Sequence, residues 1–292
     1  MKTDNSAGFV AIDKPAGPSS AQAVALIKRR LPGKTKAGHS GTLDPLASGL
    51  LVVALGSATR LLRYLPSAKR YLVTILFGVC TDTDDISGKV LAQASVPDDW
   101  RTALGSILTG HVGQINQAAP AFSALKHRGR PLYQYARAGH KIEPKIRQVR
   151  IDRIDLLDAA SESPDQVQLD VRCGPGVYMR SLARDLGEEL GCGGTMAALR
   201  RIECNGLSVD SAQPLAENQV PQIIEPLELL AGMPRFALTD CQAKQLRNGQ
   251  DIQAAEAADG RCAAVSAEGI LLGIAKVEQG LLRPECVLAG HQ

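Results

Sequence analysis

The twelve residues Gly38-His39-Ser40-Gly41-Thr42-Leu43-Asp44-Pro45-Leu46-Ala47-Ser48-Gly49 are polar and glycine-rich, and they stand directly before the most apolar run of the chain, Leu50 to Leu55. The short apolar run predicts a buried strand over Leu50–Ala54, and the string ahead of it predicts a loop. A loop fixed by a rigid strand is a common place for functional side chains. The loop offers one carboxylate, Asp44, and one imidazole, His39. Taken alone, Asp-Pro in such a stretch spells a turn, and a loop histidine is ordinarily solvated.

Upstream, Phe9 to Ile12 predicts a strand, Lys14-Pro15-Ala16-Gly17-Pro18 a turn, and Ser19 or Ser20 caps a helix with Val24, Ile27 and Leu31 on one face. Pro32-Gly33 stops that helix. Downstream, Tyr71, Val73, Ile75 and Phe77 alternate on one face of a strand. Thr81 to Gly88 is an acidic loop, and Trp100 to Leu108 a short helix. Tyr133 to Ala138 reads as helical and Val149 to Leu157 as a strand. Val167, Leu169, Val171 and Cys173 alternate in another, which Gly174-Pro175-Gly176 breaks. Tyr178 to Leu190 is an amphipathic helix lined by Leu182, Ala183, Leu186 and Leu190 and ended by Gly191. Strands and helices follow each other without a regular βαβ rhythm, so the expected class is α+β. Near Gly232-Met233-Pro234 the chain changes to short, glycine-spaced strands, which predicts a small β-rich second domain. The expected division is 1–232 and 233–292.

The chain has 292 residues, 45% hydrophobic and 22% charged, an ordinary globular balance. No apolar run approaches the roughly 20 residues of a membrane span, and the N-terminus lacks a signal-peptide core. A cytoplasmic protein is expected. Seven scattered cysteines without a C-x-x-C pair argue against a disulfide framework and a zinc site. The net charge is only +3, yet Ser123 to Arg153 holds nine basic residues against Glu143 and Asp152. That segment carries +7, with Tyr133 and Tyr135 interleaved, which suits a nucleic-acid backbone. Residues 233–292 are nearly neutral.

The loop string closely resembles the catalytic loop of the TruB family of pseudouridine synthases. The resemblance continues in order. Asp13-Lys14-Pro15 with Gly17 and Ser19-Ser20 resembles the family's first motif. Lys69-Arg70-Tyr71, Phe77-Gly78 and Thr81-Asp82-Thr83-Asp84 with Gly88 resemble the second, Gly176 to Gly187 the third, and Leu199-Arg200-Arg201 the fourth. Pro18, Val177 and Ala119 depart from the usual residues, and none removes a group with assigned chemistry.

The resemblance implies a pseudouridine-synthase catalytic domain, with a mixed, mainly antiparallel sheet flanked by helices, and a C-terminal PUA-like RNA-binding domain. It implies isomerisation of a uridine in the T loop of tRNA, position 55, after the base is flipped out. Breaking and remaking the glycosidic bond needs no redox change, so no cofactor is expected. Asp44 is implied as nucleophile or base, Arg180 as its ion-pair partner, and Tyr71 as the residue that stacks on the uracil. His39, Tyr178, Leu199, Lys14, Lys126 and Arg137 are implied in substrate binding. The basic stretch, about 119–153, resembles the family's thumb-like insertion, and by analogy the C-terminal domain contacts the acceptor region. The expected partner is tRNA, with no membrane and a monomeric protein. Two alternatives are a guide-RNA-dependent synthase subunit, whose kind lacks the insertion, and a tRNA-folding module without essential catalysis.

Overall fold

The computed structural model describes residues 7–31, 33–123, 125–127, 129–140, 142, 145–157, 163–216 and 220–288. Arg128 and Lys141 of the basic stretch, and its Glu143, lie outside the described residues. In chain order the elements are β1 (Gly8–Lys14), α1 (Ser20–Lys28), β2 (Ala37–His39), β3 (Ser48–Leu55), β4 (Lys69–Phe77), β5 (Val79–Thr81), β6 (Val90–Gln93), α2 (Trp100–Gly110), β7 (Gly113–Ala118), β8 (Lys126–His127) and β9 (Arg130–Pro131). Then follow α3 (Leu132–Arg137), β10 (Ile146–Leu157), β11 (Gln166–Cys173), α4 (Met179–Glu189), β12 (Gly194–Cys204), β13 (Leu207–Ser208), β14 (Gln213–Pro214) and α5 (Pro226–Leu229). The last are β15 (Arg235–Ala237), α6 (Asp240–Arg247), β16 (Ile252–Gln253), β17 (Gly260–Val265), β18 (Leu271–Glu278) and β19 (Leu281–Val287). The α+β class holds. No described helix is long and apolar enough to cross a membrane.

The chain forms two compact units. One comprises Met1–Pro45, Leu50–Pro66 and Asn205–Gln292, the other Leu46–Gly49 and Ser67–Cys204. In the first, β1 lies beside β3, pairs in parallel with β14, and is buried along nearly its whole length. Ser19 caps α1, accepting from the Gln22 N–H while the Gln22 side chain returns to the Ser19 N–H. That reciprocal cap satisfies two helix-end donors. The same unit contains the five-stranded sheet β15-β17-β18-β19-β16, packed against α6 around Leu246, Ala264, Ala275 and Leu282. This is the β-rich region expected after residue 232. Arg60 donates to the carbonyl of Val287, and Arg261 lies 5.3 Å from the Tyr64 ring, tying this sheet to the earlier part of its unit.

In the second unit the strands run β12-β4-β11-β10-β7, every adjacent pair antiparallel, with β12 also parallel to the start of β3 at Ser48 and Gly49. The alternation in β4 is realised, for Tyr71, Val73, Ile75 and Phe77 all point inward. Helix α4 buries Leu182, Ala183 and Leu186. Arg70 on β4 grips Asp170 on β11 at 2.9 and 2.6 Å and Glu203 on β12 at 2.9 Å, bracing three strands with charge-assisted bonds. Strand β12 carries Arg200, Arg201 and Glu203 and shows little apolar alternation, which is why pattern reading does not find it.

Candidate active site

Of the residues singled out in the sequence, Lys14, His39 and Asp44 belong to the first compact unit. Tyr71, Lys126, Arg137, Tyr178, Arg180 and Leu199 belong to the second.

Asp44 sits between two anchored neighbours. The buried hydroxyl of Ser20, the first residue of α1, donates to the Leu43 carbonyl at 2.9 Å and accepts from the Leu43 N–H at 2.8 Å. On the other side, the Gly17 N–H donates to the Pro45 carbonyl at 2.8 Å. Gly17 has φ +110°, a conformation that favours glycine. The Lys14–Ser20 turn is thus the cradle of the Asp44 loop. Lys14 is fully buried, and its ammonium donates to the carbonyls of Pro15 and Pro18 at 2.8 and 2.9 Å, holding that turn closed. His39 ends β2, opposite Val53 of β3.

Where the loop ends, Gly49 has φ +101° and lies opposite Arg201 in the parallel β3–β12 pair. A Cβ there would fall 2.3 Å from the Arg201 carbonyl oxygen, so no larger residue fits.

Arg180 lies in the first turn of α4 and is 5% exposed. It donates to the carbonyls of Thr83 and Phe122, both at 3.1 Å, and its Nε lies 3.9 Å from the Asp85 carboxylate. The acidic loop that receives it is tightly self-bonded. Asp85 accepts from the Thr83 hydroxyl at 2.9 Å, the Ser87 N–H at 3.0 Å and the Ser87 hydroxyl. Asp84 takes φ +58°, and its carboxylate accepts from Arg184, one turn along α4 from Arg180, at 3.0 Å. Burial pushes the Asp84 carboxyl above its ordinary range, against the pull of Arg184 and Arg180. The backbone of Asp84 and Ile86 bonds to Met196 of β12.

Tyr178 precedes α4 and its backbone is clamped from both sides. Its N–H donates to the Gln117 side-chain carbonyl at 2.9 Å, and its carbonyl accepts from the Gln117 amide at 3.1 Å. Sequence reading missed Gln117, a buried amide in the polar strand β7. It also missed the Ser20 clamp, because a serine beside a helix cap reads as a cap. Tyr71 is 8% exposed, and burial pushes its phenol up to about 12. On β12, Arg201 stands directly opposite Tyr71 and Leu199 opposite Val73, so Leu199 shares the Tyr71 face one pair along. Lys126 lies in the hairpin β8–β9 and Arg137 in α3. Backbone bonds Leu132 N–H to Leu125 carbonyl, 2.7 Å, and Tyr133 N–H to Ser123 carbonyl, 3.1 Å, fold this insertion back on itself. Beside it, Lys145, Arg147 and Arg150 are exposed around β10.

The likeness of this chain to known proteins runs over nearly its whole length. Residues 28–179 match the TruB family pseudouridylate synthase N-terminal domain. Residues 180–229 match the tRNA pseudouridylate synthase B C-terminal domain, and 234–288 the pseudouridine synthase II TruB C-terminal domain. The chain is 39% identical over 286 residues to tRNA pseudouridine synthase B of Acaryochloris marina, covering 96% of this chain and 98% of that protein. It is 40% identical over 294 residues to tRNA pseudouridine synthase B of Xanthomonas euvesicatoria, covering 97% and 94%. Its fold resembles that of an H/ACA RNP bound to a substrate RNA containing 2'-deoxyuridine, with TM-score 0.70, 23% identity, and coverage of 97% of this chain and 85% of that one. The chain thus belongs to the TruB family of pseudouridylate synthases.

Proposed function

We propose that this protein converts a uridine in the T loop of tRNA, position 55, to pseudouridine. The observation that carries the reading is the anchoring of Asp44. Leu43 before it and Pro45 after it are both bonded through their backbones to the Lys14–Ser20 turn, so its carboxylate is presented from a fixed backbone. Such pre-positioning is what a group reacting with a ribose needs. Asp44 starts the reaction by adding to the anomeric carbon or by taking a ribose proton. Either route needs an ionised carboxylate, and Arg180 serves as its counter-ion. Tyr71 stacks on the detached uracil, and Leu199 with Tyr178 keeps water away from it. His39 contacts the RNA where the nucleotide leaves its stack. Lys14 acts from inside, by holding the turn beneath Asp44.

Extruding the base costs a few kcal/mol. Lys126, Arg137 and the exposed cations around β10 offset this through phosphate contacts, and the C-terminal sheet contacts the acceptor region. The folded insertion favours action without a guide RNA. The test is pseudouridine formation on an unmodified tRNA transcript. The purified protein alone should turn over, and Asp44→Asn should bind the transcript normally and form no product. Near-normal turnover by Asp44→Asn defeats the assignment, and a strict need for added guide RNA defeats stand-alone action.

A further inference from the structure

Arg201 belongs to the motif Leu199-Arg200-Arg201, of which the proposed mechanism uses Leu199 alone. Among the described residues it is the largest fully buried side chain, at 0% exposure, in the interior of a central strand. A buried guanidinium is costly, and apolar replacements at such places are often neutral or stabilising. Its retention in a core position therefore calls for a task.

Its surroundings supply one. On one side Arg201 is the direct cross-strand partner of Tyr71 on β4. The two side chains share a face and are both buried, and the charge and hydrogen-bonding reach of the guanidinium pull the Tyr71 phenol down against the larger effect of burial. On the other side the Arg201 backbone is pressed against Gly49, its partner on β3, where even one methyl group would clash. Gly49 closes the loop that begins at Gly38 and carries Asp44. An aromatic ring held only by its Cβ has a broad, two-fold χ2 preference. A donor fixed to the phenol oxygen narrows that freedom.

We propose that Arg201 is a positioning residue that sets the plane of the Tyr71 ring, through the phenol oxygen, for stacking on the detached base. This rests on the reading of Tyr71 as the stacking residue. It assigns the Tyr71 hydroxyl a purpose that stacking alone does not give it. The phenol stays neutral at physiological pH, since burial outweighs the opposing effect of Arg201.

The test is a double-mutant cycle read by single-turnover pseudouridine formation and by tRNA binding. Tyr71→Phe removes one oxygen and keeps the stacking face. Arg201→Lys and Arg201→Met remove the guanidinium. Tyr71→Phe and the Arg201 variants should each slow the chemical step by roughly tenfold to a hundredfold, the worth of one charge-assisted hydrogen bond. Transcript affinity should not change. The Tyr71→Phe/Arg201→Lys double variant should be no slower than the slower single variant. Wild-type rate in Tyr71→Phe overturns the proposal even if the Arg201 variants fail to fold. Multiplicative losses overturn it too, because they give Arg201 a structural role independent of the phenol. Tyr71→Ala distinguishes failure of the underlying reading: wild-type rate there removes Tyr71 from the reaction altogether, whereas an inactive Tyr71→Ala with an unaffected Tyr71→Phe removes only the positioning role.

Discussion

Two adjacent serines at the start of α1 have opposite tasks, and substituting them one at a time separates folding from function. Ser19 caps the helix, and its loss should cost about 1 kcal/mol. Ser20 is 2% exposed and its single oxygen makes two hydrogen bonds, to the backbone N–H and C=O of Leu43. Each bond contributes roughly 0.5–1.5 kcal/mol, and Ser20→Ala also leaves a buried N–H and C=O without those partners, so the cost is about 2–4 kcal/mol. The kinetic consequence should differ more than the stability. Ser20→Ala frees the backbone immediately before Asp44, and a displacement near 1 Å can cost on the order of a hundredfold in rate. Ser19→Ala leaves the Leu43 bonds in place. We expect Ser20→Ala to lose roughly tenfold to a hundredfold in single-turnover rate at unchanged transcript affinity, and Ser19→Ala to turn over normally. Denaturant titration measures the stability terms, and mass-resolved or chemical detection of pseudouridine measures the rate. A Ser20→Ala protein that is folded and fully active would refute the claim that the Leu43 clamp orients Asp44.

Three further outcomes are expected. Gly49→Ala forces a left-handed backbone on alanine and drives its Cβ into the Arg201 carbonyl. It should lower stability by roughly 3 kcal/mol or more, seen as a marked drop in thermal midpoint. The Tyr71 phenol, ordinarily near 10, is raised to about 12 in the folded state. Between those values the unfolded chain loses a proton that the folded chain keeps, so stability falls as pH rises by up to about 1.4 kcal/mol per pH unit. Tyr71→Phe should show a shallower alkaline loss by that amount in pH-dependent denaturation, and no difference in slope below pH ~9. At Asp84, both Asp84→Ala and Asp84→Gly lose the Arg184 contact, but only glycine relieves φ +58°. Asp84→Gly should be the more stable of the two by about 1 kcal/mol, the reverse of their order in a helix.

How much of this was legible in the sequence depended on the kind of signal. Strands β4 and β11 were readable because one face is buried and period-two alternation survives in Tyr71-Val73-Ile75-Phe77 and Val167-Leu169-Val171-Cys173. Helix α4 was readable from its apolar stripe. Strands β7 and β12 were not. Gln117 and Arg201 are polar residues that tertiary partners bury, and no periodicity announces them. Helix α6 carried a capping signal in Thr239 and Gln242 that went unread among the glycine-spaced strands. At the site, the reactive residue types stood out as motifs. The supporting bonds from Ser20, Gly17 and Gln117 did not, because they join positions far apart in the chain, and only the fold brings their partners near.

The first compact unit is assembled from both ends of the chain. Its strand β1 pairs with β14, and Phe9, Val10 and Ile12 are completely buried. During synthesis that apolar segment meets its neighbour β3 early, yet β14, its partner on the other edge, follows only after Ser67–Cys204 have been made. At ~5–20 residues per second this is a wait of roughly ten seconds or more. Over that interval β1 keeps its β14 edge uncovered, while the intervening unit has all but the short Leu46–Gly49 piece of its chain contiguous. Expression failures in slowly translated versions should therefore originate at Gly8–Lys14, the strand whose second edge waits longest for its cover.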